Sequence, residues 1–156
     1  MEHIKQNDSR LKEEIQKIGC FFISCAIVAQ NTAGKELTAE QINSVWDWAK
    51  KTHRIDQNDN ITDSASIINR FLRVLEARGR FLEVGTFRDG RTQFYFAVSE
   101  KYRKIDALIQ KIKQGGKSVT HFRVVDRKGA LIEDPHEPPI KALDVYYSIL
   151  YCFIND

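Results

Sequence analysis

The chain of 156 residues predicts an α+β protein, one domain over 1–156, with N-terminal helices packed on a C-terminal antiparallel sheet. Three observations carry this. Apolar residues recur at helical spacing through the first half, β-branched and aromatic runs bounded by turn residues fill the last third, and the two patterns are segregated instead of alternating. At this length one domain buries a sizeable core without disulfide staples.

The elements follow in order. Residues 8–17 read as a short amphipathic helix with Leu11, Ile15 and Ile18 on one face, interrupted at Gly19. From Cys20 to Ala29 apolar residues are nearly continuous, as expected of a helix buried on most sides, and the polar Gln30-Asn31-Thr32-Ala33-Gly34 ends it. A further helix starts at Thr38, where Thr38-Ala39-Glu40-Gln41 has capping-box spacing. It carries Ile42, Val45, Trp46 and Ala49 on one face to about Lys51. Trp46 and Trp48 are two positions apart, so one faces the core and the other solvent or a partner. Asp63 or Ser64 caps the next helix, through Ile67, Ile68, Phe71, Leu72 and Leu75, and Gly79 stands where a left-handed stop is wanted.

Strand signals come next. Residues 81–87 and 92–99 flank Asp89-Gly90 and read as a hairpin. Ile105, Leu108, Ile109 and Ile112 then mark one more helix, closed by Gly115-Gly116. Strands over 119–125 and 130–133 are joined by a turn at Asp126-Arg127-Lys128-Gly129, and a proline-rich loop covers 134–139. The run 145–154 is β-branched and aromatic enough for a core strand, with a helix as the alternative on pattern alone.

Several function classes are disfavoured. The net charge of +3 comes from 24 basic and 21 acidic residues scattered together, with no basic stripe, which argues against nucleic acid as a partner. Cys20, Cys25 and Cys152 are an odd count with no CxxC pair, which suits free thiols in a reducing, cytoplasmic setting rather than disulfides or a zinc site. The apolar run 18–29 is shorter than the roughly 20 residues a spanning helix needs, so no membrane partner is expected. Ser24-Cys25-Ala26 hints at a lipoprotein-type processing site. The preceding segment, however, balances Glu2, Asp8, Glu13 and Glu14 against Lys5, Arg10, Lys12 and Lys17, the wrong electrostatics for export. Asp56-Gln57-Asn58-Asp59-Asn60 has the flavour of a calcium loop. With Ile61 at the sixth position and Ile67 at the twelfth, it reads as a solvated loop. No phosphate loop, dinucleotide fingerprint or serine-nucleophile motif is present, and no cofactor is expected.

What remains is thiol chemistry. A cysteine in the first turn of a buried helix meets unpaired N–H groups and the positive end of the dipole, which favour a thiolate. Cys20 is at such a place, and Cys25 is more than one turn deeper. A nucleophilic thiolate needs an imidazole and a group to orient it. His121 opens His121-Phe122-Arg123-Val124-Val125, and a hairpin brings Asp134, thirteen residues later, beside it. The other histidines have plainer readings: His136 lacks a fourth ligand for a metal cluster, His53 suits a helix C-terminus, and His3 lies in a frayed terminus.

Gly19-Cys20 opening an apolar helix, a late His-Phe-x-Val-Val strand, and a strand running into Glu133-Asp134-Pro135 resemble the papain-like cysteine peptidases of bacteria. The closest likeness is to the small domains that remove double-glycine leaders from bacteriocins. The resemblance spans most of the chain in element order, but its sharp matches are those three pieces. It implies a papain-like fold and a peptidase or amidase acting on a peptide or protein. Cys20 is then the nucleophile, His121 the general base and Asp134 its orienting group. It also implies an oxyanion hole made by the Cys20 N–H and a glutamine about six residues upstream. Glu14 stands at that position here, which leaves Gln16 as the nearest amide. Phe21-Phe22 replaces the small turn usual after the cysteine and is expected to crowd the mouth of the site. The alternative is the same fold without competent chemistry, serving as a binding or assembly module.

Overall fold

The computed structural model describes residues 2–88, 104–114 and 119–155, the side chain of Leu143 excepted. Among them, α1 (Glu13–Ile18) and α2 (Cys20–Ala33) are separated by Gly19 alone, followed by α3 (Ala39–Lys51) and α4 (Ser64–Val74). Five strands then form one antiparallel sheet: β1 (Arg80–Phe87), β2 (Ala107–Gln114), β3 (Thr120–Val125), β4 (Leu131–Glu133) and β5 (Ala142–Ile154), in the order β1-β5-β2-β3-β4. Helices first and an antiparallel sheet after is the α+β arrangement expected. No helix among the described residues is long and apolar enough to cross a membrane.

α2 is the centre of the molecule. Phe22 through Gln30 are all buried, and the helix packs on α4 and β3. Its polar end does not stop it at Ala29. Gln30 is buried, donates from Nε2 to the Ala26 carbonyl and accepts the Leu37 N–H at 2.7 Å, so the helix runs on to Gly34 at φ +67°. A buried amide with both ends satisfied costs little, which is why polarity alone misplaces this boundary.

The N-caps of α3 and α4 form as expected. Thr38 and Gln41 exchange both capping-box bonds, and the Asp63 carboxylate accepts from the Ser66 N–H. Gly79 is not the stop of α4, which ends at Val74 with Glu76 left-handed at φ 58°; it is left-handed itself at φ +85° just ahead of β1, where a Cβ would meet the Phe153 ring and the Ile154 carbonyl. Trp46 faces the core, while Trp48 is half-buried between the guanidinium groups of Arg54 and Arg70, 4.8 and 5.0 Å from its ring centroid. Ile105 to Ile112 do not form a helix: they belong to the approach and body of β2, paired to β3 on one side and β5 on the other. A central strand is covered on both faces, so Leu108, Ile109 and Gln110 are all buried and the period-2 signature vanishes. The four apolar positions then mimic helical spacing. The run 145–154 is the strand expected, inside the 13-residue β5. β1 exists but pairs with β5; the expected turn at Asp89-Gly90 and the strand over 92–99 lie outside the described residues.

The N-terminal segment differs more. Only Glu13–Ile18 of the expected 8–17 helix forms, because Asp8 turns the chain by accepting from the Arg10 N–H at 2.9 Å and its guanidinium. The residues before it are not frayed. Gln6 N–H donates to the Pro135 carbonyl at 2.6 Å, Lys5 Nζ bridges Glu133 and the Asp134 carbonyl at 2.9 Å each, and His3, almost fully buried, bonds Glu133 at 2.7 Å. This segment straps the loop that follows β4.

Candidate active site

Gly19 sets the position of Cys20. The last bond of α1 runs from the Gly19 N–H to the Ile15 carbonyl, and the first of α2 from the Ile23 N–H to the Gly19 carbonyl, 2.8 Å each. The backbone at Gly19 is unstrained at φ −85°, but a Cβ there would sit 2.7 Å from Ile15 Cγ2 and closer still to its carbonyl oxygen. Only a residue without a side chain lets two helices abut end to end. Cys20 is therefore the first residue of α2, its N–H outside that helix's own ladder and its half-buried side chain at the positive end of the dipole. Cys25, more than one turn deeper, is wholly buried, and burial pushes its thiol far above the ordinary range. Cys152 is half-buried on β5, away from the cleft described below.

His121 comes from the start of β3 and is 5% exposed. Its Nε2 bonds Asp134 Oδ1 at 2.7 Å across the β3–β4 hairpin, which leaves Nδ1 as the ring nitrogen that Asp134 does not engage. Burial pulls the imidazolium pKa down. The bond to Asp134 and the hydrogen bond and charge of Cys20 outweigh it, so the group is raised from 6.5 to about 9. Asp134 is more buried still, at 2%. Burial raises its pKa, but His121 and the backbone N–H groups of His136 and Ile140, at 2.8 and 2.9 Å, together hold it below the ordinary carboxylate range. A carboxylate with three donors cannot swing away from the ring.

The residues that follow Cys20 and His121 lock the two segments together. Phe21, next to Cys20, stacks on Phe122, next to His121, with centroids 4.3 Å apart and planes 12° from parallel. Phe22 turns the other way, into the core against Trp46 and Phe71. The two phenylalanines expected to crowd the mouth thus divide their work: one anchors α2 in the core and the other clamps β3 to its first turn.

Cys20 and His121 open onto a cleft of about 860 Å³ whose wall also includes Gln6, Gln16 and His136. Glu14 is exposed and not part of it. Gln16 lines the cleft, and one of its two Nε2 hydrogens goes to the Leu11 carbonyl at 2.7 Å. Sequence spacing misses Gln6, which is 6% exposed and hydrogen-bonds the Gln16 carbonyl through one Nε2 hydrogen at 3.2 Å. Its Oε1 is buried with no partner among the described residues. A buried amide oxygen without a protein partner is rare enough in folded proteins to call for an explanation. The only sequence signal for it is its place in a polar segment ahead of the helix. His136 donates from Nδ1 to the Pro138 carbonyl, and no group of three His, Cys, Asp or Glu side chains among the described residues is placed to hold a metal ion. Asp56 of the calcium-like loop instead accepts the N–H groups of Asn58 and Asn60, and Asp59 pairs with Lys50. No known protein family, characterised protein or solved structure matches the chain.

Proposed function

We propose that the chain is a cysteine hydrolase of papain-like fold that cleaves an amide bond of a peptide or protein. The observation that carries this is the bond of His121 to the buried Asp134 at 2.7 Å beside the first-turn Cys20, with Cys20 and His121 both lining an open cleft. In the reaction the Cys20 thiolate attacks the substrate carbonyl carbon, and the oxyanion takes the Cys20 N–H and the spare Nε2 hydrogen of Gln6. The His121 imidazolium gives its proton to the departing amine as the C–N bond breaks, leaving a thioester on Cys20. Neutral His121 then takes a proton from water, whose oxygen displaces the thiolate and releases the acid. Each amide keeps one Nε2 hydrogen, and Gln6 is taken in preference to Gln16 because it is the buried one of the two.

The test is intact-mass spectrometry after treatment with a panel of tripeptidyl chloromethyl ketones. One adduct per chain is expected, at Cys20 and not at Cys25 or Cys152, and His121→Ala slows its formation at least tenfold. Labelling that is spread over the thiols, or that ignores His121, contradicts the hydrolase and favours a binding module on the same fold.

A further inference from the structure

Lys111 sits at the centre of β2, directly opposite Phe122 of β3 and Tyr147 of β5. Directly paired residues share a sheet face, so the three form a row across it. Lys111 Nζ lies 5.7 Å from the Phe122 centroid and 5.5 Å from that of Tyr147, and all three line the cleft that holds Cys20. The ring faces attract the ammonium charge but take none of its three N–H donors in ordinary hydrogen bonds. Lys111 has no carboxylate partner among the described residues. The surrounding charge does not cancel it. Asp59 is the one carboxylate among the residues lining the cleft and is already paired with Lys50. Arg88 adds a second cation 5.4 Å from the Tyr147 centroid, and the carboxylate of Glu83, which also acts on Tyr147, lies within 3.4 Å of Ser64 Oγ.

We propose that Lys111, braced by Phe122 and Tyr147, is a specificity subsite for a carboxylate on the substrate, carried by an acidic side chain or by a chain terminus. The subsite rests on the hydrolase reading for its purpose, but its ligand chemistry comes from Lys111 and the two rings. A carboxylate there accepts the unspent donors while the adjoining chain lies against the aromatic row. The expected selectivity is about fivefold, as for a partly screened ion pair.

Three acetylated heptapeptides of alanine and glycine provide the probes: one with a central glutamate and an amidated end, one with glutamine and an amidated end, and one with glutamine and a free terminal carboxylate. Their affinities are measured by NMR on the Cys20→Ala protein, following the β2 and β3 amides. One or both carboxylate peptides should bind about fivefold tighter than the neutral one, and which does so identifies the source of the carboxylate. The preference should weaken with salt, vanish in Lys111→Gln and persist in Lys111→Arg. Equal binding of all three, or a preference that survives Lys111→Gln, overturns the subsite. Failure of the hydrolase itself is read separately, as iodoacetamide labelling of Cys20 in the otherwise unaltered chain that is indifferent to His121→Ala.

Discussion

At the scale of single residues, the site depends on what Gly19 lacks as much as on what Cys20 carries. A methyl group at 19 overlaps the Ile15 carbonyl and Cγ2, so either α1 or the first turn of α2 must shift. Overpacking of this kind costs roughly 1–3 kcal/mol. Gly19→Ala should therefore lower the unfolding midpoint in urea, and in the surviving folded protein slow labelling of Cys20 by the chloromethyl ketones. A variant of unchanged stability and reactivity would show that the abutting helices have no part in placing the thiol. The place of Cys20 at a helix start and the approach of His121 to Asp134 are legible in the sequence because each depends on a local rule, a glycine break for the first and a hairpin for the second. Gln6 is not, because its approach to the cleft depends on the strap of residues 3–7 against 133–137, a tertiary contact with no spacing rule behind it.

At the scale of elements, α2 meets β3 through one aromatic stack. Phe21 and Phe122 are each one position beyond Cys20 and His121, so their contact fixes the register of thiol and imidazole. An aromatic pair contributes about 0.5–1.5 kcal/mol beyond the area it buries. Phe122→Leu should cost about 1 kcal/mol of stability on that basis and slow Cys20 labelling by more than stability accounts for, whereas Phe122→Tyr restores both. Equal rates in Phe122→Leu and the parent chain would reduce the stack to ordinary packing. The helix N-caps and β5 are readable for the same reason as those placements, since Thr38-Gln41, Asp63 and the β-branched run act within their own segments. β2 is misread because burial on both faces erases alternation, so Ile105, Leu108, Ile109 and Ile112 carry no sign of which period produced them.

At the scale of the whole molecule, the helices carry Cys20, the sheet carries His121, and the strap of residues 3–7 secures the loop that holds Asp134. This coupling links stability to pH. His121 is raised on folding, so its contribution is fully present below about 6.5 and is lost as pH climbs through about 9. Asp134 is lowered, so its contribution is present above 3.8 and is lost as pH falls below that. Both directions follow from a charged imidazolium held between a carboxylate and the Cys20 thiol. The most direct measurement is therefore the titration of the His121 ring by ¹H–¹⁵N NMR, in the parent chain and in Cys20→Ala. An imidazolium that persists to about pH 9 in the parent and titrates clearly lower without the thiol is the expected result. A ring that titrates near 6.5 in both proteins would contradict the pairing of Cys20 with His121 and, with it, the active site.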